Sequence, residues 1–211
     1  MDKKDDVNAF SRYSKVSRET VKIFGDYEKI LIKSNKDLNL IGNSTINDIW
    51  NRHFLDSYQV IDFIDKNDKT LVDLGSGAGF PGMVLAIVAN DRKMSLKVSL
   101  IEKSIKKNIF LKDAIKKLNL NVEVLCQNIF EENKITADIA VARAFKPLST
   151  ILALIHNKTI NVKKFFVFLG KTGKTELDLA TKKWDIEYKQ RMSITSNDSF
   201  IIEIKKVKEK I

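Results

Sequence analysis

Four glycines fall within residues 75–82, at Gly75, Gly77, Gly79 and Gly82, and they carry the strongest chemical signal in the chain. Leu71, Val72 and Leu74 form a short apolar run before them, and Met83-Val84-Leu85-Ala86-Ile87-Val88 resumes it afterwards. This pattern predicts a buried strand, a loop and a helix. Glycine suits the break because the backbone must turn at φ > 0 and admit a ligand where no Cβ intrudes. The helix start offers unpaired N–H groups to that ligand, and Pro81 suits its first position. The chemistry expected of such a loop is the binding of a nucleotide-type cofactor.

Gly77-Ala78-Gly79-Phe80-Pro81-Gly82 satisfies the dinucleotide pattern G-x-G-x-x-G. Asp73 points to a different cofactor. A carboxylate at the strand end repels a pyrophosphate but suits a cationic ligand. An acidic strand end followed by G-x-G-x-G resembles motif I of the S-adenosylmethionine (SAM) methyltransferases, whose ligand carries an ammonium and a sulfonium. Glu102 stands 27 residues past Gly75 at the end of the next predicted strand, where a carboxylate takes the ribose hydroxyls of a bound nucleoside. NAD and SAM both carry adenosine, so Glu102 serves either. Gln127-Asn128-Ile129-Phe130 follows the third strand, and its amides are placed to read an adenine edge, with Phe80, Ile129 and Phe130 sandwiching the ring. Core packing is the other reading of Ile129 and Phe130.

Arg143 ends the fourth strand after the apolar run Ile139-Ala140-Val141-Ala142, at the sheet edge where ligands bind in open α/β sheets. It is expected to hold a carboxylate or phosphate, or to clamp a base, with a salt bridge to Asp73 or Glu102 as the plain alternative. His53 lies in a helical segment and reads as a hydrogen-bonded core or cap residue rather than a base. His156 reads as surface, Cys126 as a small apolar filler, and Asp113 and Asp138 as ordinary helix-surface and strand-start residues. No metal-ligand spacing and no Ser-His-acid constellation occurs.

Alternating patterns position these groups. Residues 7–34 read as one or two amphipathic helices, 38–43 as a loop, and a further helix through residue 64 is capped by Ser44 or Thr45. Residues 1–65 thus form an N-terminal helical extension ahead of a domain spanning 66–211. Strands follow at 97–102, 121–126, 137–142 and 164–169. Helices lie between them: 104–119, with Ile105, Ile109, Phe110 or Leu111, Ala114 and Leu118 inward, then 147–157 and 174–184. Strands at 186–194 and 199–205 form a closing hairpin, and Lys205–Lys210 reads as a frayed basic tail. The alternation predicts an α/β fold, a mostly parallel sheet with one antiparallel C-terminal strand.

Of 211 residues, 44% are hydrophobic, enough for a well-buried core. One cysteine excludes an internal disulfide and fits a reducing compartment. The first residues lack the apolar stretch of a secretory signal and no apolar run spans a bilayer, so a cytoplasmic location is expected. The formal net charge is +10, but only six of the 37 basic residues are arginine. Such lysine-rich charge attracts polyanions without specifying a site.

Leu38-Asn39-Leu40, Arg52-His53-Phe54-Leu55-Asp56-Ser57, Val72–Gly82 and Ala142-Arg143-Ala144 fall in an order and spacing that resembles the bacterial ribosomal RNA small-subunit methyltransferase G family, also called glucose-inhibited division protein B. The resemblance runs from about residue 20 to the end. It implies a class I SAM-methyltransferase (Rossmann-like) fold, SAM as methyl donor, and N7 of a guanine in the decoding-region loop of 16S rRNA as acceptor. It implies 16S rRNA or the small ribosomal subunit as partner, with no membrane and no obligate protein partner. By matched positions Gly75, Phe80, Ile129, Phe130 and Arg143 contact SAM. The family often carries Lys-Gly after the fifth strand, where this chain has Leu169-Gly170-Lys171. Two other readings stay open on the same residues: an NAD-dependent oxidoreductase, and an RNA-binding module without turnover.

Overall fold

A computed structural model describes residues 3–131 and 134–210. Helices α1 (Lys3–Ser14) and α2 (Arg18–Leu38) come first. The Ser17 hydroxyl caps α2 by accepting from the Thr20 N–H, and Asn39 ends it in the left-handed region at φ 47°. The regular helix expected next does not form. A 3-10 segment, Asn43–Asp48, leads into a π-helical turn, Trp50–Leu55, and then the short α3 (Asp56–Tyr58). Neither Ser44 nor Thr45 caps it; Thr45 Oγ1 instead donates to the Gly42 carbonyl. The wider π turn brings Leu55 round to the side of Trp50, His53 and Phe54, so that all four are buried.

The remaining elements are β1 (Thr70–Leu74), α4 (Gly82–Asp91), β2 (Lys97–Ile101), α5 (Ile105–Lys117), β3 (Val122–Leu125), β4 (Ile135–Arg143), α6 (Leu148–His156), β5 (Ile160–Leu169), α7 (Gly173–Lys183), β6 (Trp184–Met192) and β7 (Phe200–Glu209). They build a seven-stranded sheet in the order β3-β2-β1-β4-β5-β7-β6. Only β7 runs against the direction of the other six strands. The chain starts mid-sheet, winds out to β3, then returns to β4 beside β1. That reversal opens a crevice at the C-terminal ends of β1 and β4.

Helices cover both faces, so the central strands are apolar on both sides. Leu71, Ile139, Val141 and Phe166 face a core shared with α4, α5 and the N-terminal aromatics. Val72, Leu74, Ala140, Ala142, Phe165 and Val167 face α6 and α7. In the first core, Phe10, Phe24, Trp50 and Phe54 pack edge-on or tilted, with Phe10–Phe24 centroids 4.8 Å apart and Phe24–Phe54 4.9 Å. Residues 3–64 therefore pack directly on the helices of the sheet, and Tyr27 reaches the glycine loop.

Several sequence expectations change here. Ile105 and Ile109 of α5 point outward, 70% and 64% exposed, while Asn108, Phe110, Leu111, Ala114 and Ile115 are buried. Asn108 sets that rotation by donating from Nδ2 to the Glu102 carbonyl at 2.6 Å. The basic tail is not frayed. Residues 205–209 continue β7 against β6, and Lys206 Nζ lies 2.9 Å from Glu187. The lysine side chains stay solvated while the backbone is paired. Cys126, expected as apolar filler, is exposed. Asp138 is structural: it accepts from the Lys69 and Thr70 N–H groups at 2.8 and 3.0 Å and fixes the start of β1.

Candidate active site

A cavity of about 450 Å³ opens at the C-terminal ends of β1, β2 and β4. Gly75, Gly77, Phe80, Glu102, Asn128, Ile129, Phe130 and Arg143 all line it. The sheet topology thus brings together eight of the ten residues singled out from sequence. Asp73 and Gly79 are not among the lining residues. Leu40, Ile41, Gly42, Lys103 and Lys107 join the wall, none of them singled out as site residues. Leu40 lay in a motif already noted, but its place depends on how α2 ends. Asn39 turns the chain, and Asn35 Oδ1 accepts from the Ile41 N–H at 2.8 Å, folding residues 40–42 over the cavity.

The glycine loop is held from both sides. Gly75 and Ser76 donate to the Ile101 carbonyl at 2.8 and 3.1 Å, tying the loop to β2. Gly75 has φ +72°, and a Cβ there would stand 2.3 Å from the Phe145 ring. Gly79 has φ +97°, and its Cβ would meet the Tyr27 hydroxyl at 2.6 Å and Met83 Sδ at 2.7 Å. Gly75 therefore serves the cavity wall, and Gly79 serves the packing beneath the loop. Tyr27 Oη donates to the Ala78 carbonyl at 2.5 Å, which anchors the loop to α2.

The N–H groups expected to face a ligand are partly bonded within the protein. Gly77 N–H donates to Glu102 Oε2 at 3.0 Å, Gly82 N–H to Asp73 Oδ2 at 2.9 Å, and Met83 N–H to the Gly79 carbonyl at 2.8 Å. Pro81 precedes α4 rather than opening it, and its peptide bond to Phe80 is cis. Glu102 Oε1 also accepts from the Ser104 N–H at 2.8 Å. The carboxylate is thus fixed in orientation, and each oxygen keeps one further lone pair.

Asp73 plays another part than the one expected. It shares a strand face with Leu71 and is fully buried under the start of α4, so its charge does not meet a ligand in the cavity. It acts on the loop from beneath, through the Gly82 N–H, and does not select a cationic cofactor by direct contact. Burial is the main reason its carboxyl is pushed up to about 7, against the lowering effect of the Gly82 N–H. The native state favours the protonated form, so this contribution to stability is full below the unfolded value near 3.8 and is lost as pH rises through about 7. Asp73→Asn stays neutral and keeps an acceptor for Gly82. Thermal melts should show the variant gaining on the parent between pH 4 and 8, by on the order of 1–3 kcal/mol at the upper end. A constant difference across that range would mean Asp73 is ionised in the fold throughout.

Phe80 is buried among protein rings. It stacks on His53 at 4.9 Å and 16° and packs on Tyr27 at 5.6 Å, so it offers the cavity a wall contact rather than one face of a sandwich with Phe130. Ile129 is buried and Phe130 is 48% exposed at the rim, with Lys146 Nζ 5.3 Å over its ring. The Asn128 side chain bonds locally, Nδ2 donating to Glu131 Oε1 at 2.6 Å and Oδ1 accepting from the Phe130 N–H at 3.3 Å. Its amide shapes this turn rather than lying free for an adenine edge.

Arg143 pairs with neither Asp73 nor Glu102. Its Nη2 donates to the Arg52 carbonyl at 2.6 Å and its Nε lies 3.3 Å from Asp56 Oδ2. Nη1 is buried and has no hydrogen-bond partner among the described residues. Asp56 Oδ1 also accepts from Gln59 Nε2, Ser193 Oγ and Thr195 Oγ1 at 2.9, 3.1 and 2.9 Å. One carboxylate therefore ties the N-terminal segment, the end of β4 and the β6–β7 hairpin together. His53 contacts Thr45 Oγ1 through Nε2 at 2.9 Å, and its Nδ1 is buried without a partner among the described residues. Burial, then the charges of Arg143 and Arg52, pull its pKa down to about 3, so the imidazole is neutral at physiological pH. Among the described residues no His/Cys/Asp/Glu group is arranged to hold a metal ion.

The family described as GidB, rRNA small subunit methyltransferase G, matches residues 20–202. A protein from Pelagibacter ubique named ribosomal RNA small subunit methyltransferase G is 40% identical over 197 residues, 92% of each chain. One of the same name from Rickettsia felis is 40% identical over 189 residues, 90% of this chain and 95% of that one. Among solved structures, the 16S rRNA methylase RmtB superposes with a TM-score of 0.52 at 13% identity, covering 90% of this chain and 76% of that one. The tRNA (m1A58) methyltransferase TrmI from Aquifex aeolicus gives 0.51 at 15%, covering 72% and 68%. The two structural likenesses bear on the fold, which is the Rossmann-like class I methyltransferase architecture.

Proposed function

The chain belongs to the rRNA small subunit methyltransferase G family, and from that premise we propose that it transfers a methyl group from SAM to N7 of a guanine in 16S rRNA. The observation that carries the reading is the convergence of the glycine loop, Glu102 and Arg143 on one cavity at the β1/β4 switch point. The residues present fit SAM: a cavity of about 450 Å³, backbone at Gly75 and Gly77 without Cβ atoms, and an oriented carboxylate at Glu102. Bound there, SAM supplies a methyl group on a positively charged sulfur. Glu102 accepts the ribose hydroxyls, and Ile129 and Phe130 cover the base. The 16S rRNA docks through lysine-rich edges by phosphate contacts, and its target base is turned out of the stack. Among the described residues no helix is long and apolar enough to cross a membrane.

Guanine N7 bears a lone pair and no proton, so no residue has to act as a general base. Rate then comes from alignment of two reactants, worth up to about 7–11 kcal/mol in favourable cases. Arg143 is the group fixed to provide it, clamped at the Arg52 carbonyl and at Asp56. Mapping N7-methylguanine in 16S rRNA from cells with and without the protein tests the proposal. One guanine should lose its methyl group when the protein is absent. An unchanged map would overturn it, and tight NADH binding would favour the oxidoreductase reading.

A further inference from the structure

A second cavity, of about 310 Å³, lies on the far side of residues 143–146 from the first. Both share Arg143 and Phe145 as a wall. Resting on the methyltransferase reading above, we propose that this second cavity seats the guanine to be methylated, with Glu176 reading its Watson–Crick edge and Arg143 its O6 side. The volume is at the small end for ligand pockets, matching a single base rather than a nucleoside cofactor.

The polar groups on this wall form a pattern. Glu176 Oε1 accepts from Thr172 Oγ1 at 2.9 Å and Oε2 from the Leu148 N–H at 3.2 Å, which holds the carboxylate still. Each oxygen retains a lone pair, and a carboxylate accepts only. Guanine offers two adjacent donors on its Watson–Crick edge, N1–H and N2–H, a match for such a pair of acceptors. O6, next to N1 at the end of that edge, also flanks N7 and accepts. Arg143 lines both cavities, and its Nη2 carries a second N–H beside the one given to the Arg52 carbonyl, a donor at the boundary between them. A bond from Arg143 to O6 leaves N7 free and turns it toward the cofactor side. Adenine places an acceptor against Glu176 and a donor against Arg143, so both contacts become repulsive. Buried mismatches of this kind discriminate strongly. Phe168 and Ser196 complete the wall with an apolar surface for the ring and a hydroxyl at the hairpin.

Two variants test this. Gly170 lines the cavity, and an added Cβ there meets nothing within 4 Å, so Gly170→Phe fills the space without backbone strain. On small subunits from cells lacking the modification, Gly170→Phe should lose at least tenfold in methyl transfer while calorimetry shows SAM affinity within twofold of the parent. Glu176→Gln keeps the Leu148 N–H bond through its oxygen and reverses the Thr172 bond, its amide nitrogen donating to Oγ1, and so removes one acceptor. With 16S rRNA carrying guanine or inosine at the mapped target, the parent should prefer guanine by about tenfold or more. The variant should prefer it by less than threefold. Full turnover by folded Gly170→Phe, or an undiminished guanine preference in Glu176→Gln, overturns the assignment. Should Glu176→Gln fail to melt cooperatively, Gly170→Phe decides alone. A parent that binds SAM but makes no N7-methylguanine would instead sink the functional reading on which this rests.

Discussion

Replacing Arg143 by lysine should cost roughly 100-fold in methyl transfer at saturating SAM, with folding retained. The charge survives this change, but the fork does not. Arginine reaches the Arg52 carbonyl through Nη2 and Asp56 through Nε while directing Nη1 elsewhere. A lysine ammonium is a single point, and once paired with Asp56 it has no rigid second arm. The effect should appear in kcat rather than in SAM affinity, because the clamp serves alignment. His53→Ala is the contrasting variant. Neutral His53 contributes a ring stacked on Phe80 and a bond to Thr45, so its loss should lower stability by about 1–3 kcal/mol and leave turnover within a few-fold. Calorimetric melts and single-turnover assays separate the two effects. A fully active Arg143→Lys beside a folded but dead His53→Ala would mean that a base acts after all.

Glu102→Ala should weaken SAM binding by about 1–3 kcal/mol, or roughly 10- to 100-fold. Two causes act together. The ribose hydroxyls lose a charged acceptor, and the Gly77 and Ser104 N–H groups lose the oxygens that hold them at 3.0 and 2.8 Å. Gln at this position presents one acceptor oxygen to two backbone donors, so it should restore only part of the loss. The ordering parent, Gln, Ala is therefore expected in titration calorimetry. Equal affinities for all three would remove Glu102 from the cofactor site.

Much of the fold was legible because it follows from local chemistry. Period-two and period-3.6 apolar patterns mark strands and helices, and β-α alternation demands parallel strands joined by crossovers. Four glycines after a short apolar run mark a loop whose backbone must approach a ligand. Those patterns foretold the sheet and its single antiparallel strand, and they named eight of the residues that line the cavity. Ile105 and Ile109 were misplaced because a short helix with apolar residues on several sides has no single periodic solution. The face it buries was set by Asn108 reaching the Glu102 carbonyl.

What remained was decided by contacts between segments far apart in the chain. Alternation puts Asp73 on the same strand face as Leu71, but only the packing of α4 over that face turns it from a candidate ligand contact into a buried loop anchor. The partner of Arg143 is Asp56, reached because a π turn and the return of β4 beside β1 bring the two together. Glu176 meets the start of α6 in the same way. One sequence states which residues can bond, since each side chain has a set inventory of donors and acceptors. Which of them do bond depends on the closure of long loops around a common core, an outcome of the whole chain that no local stretch encodes.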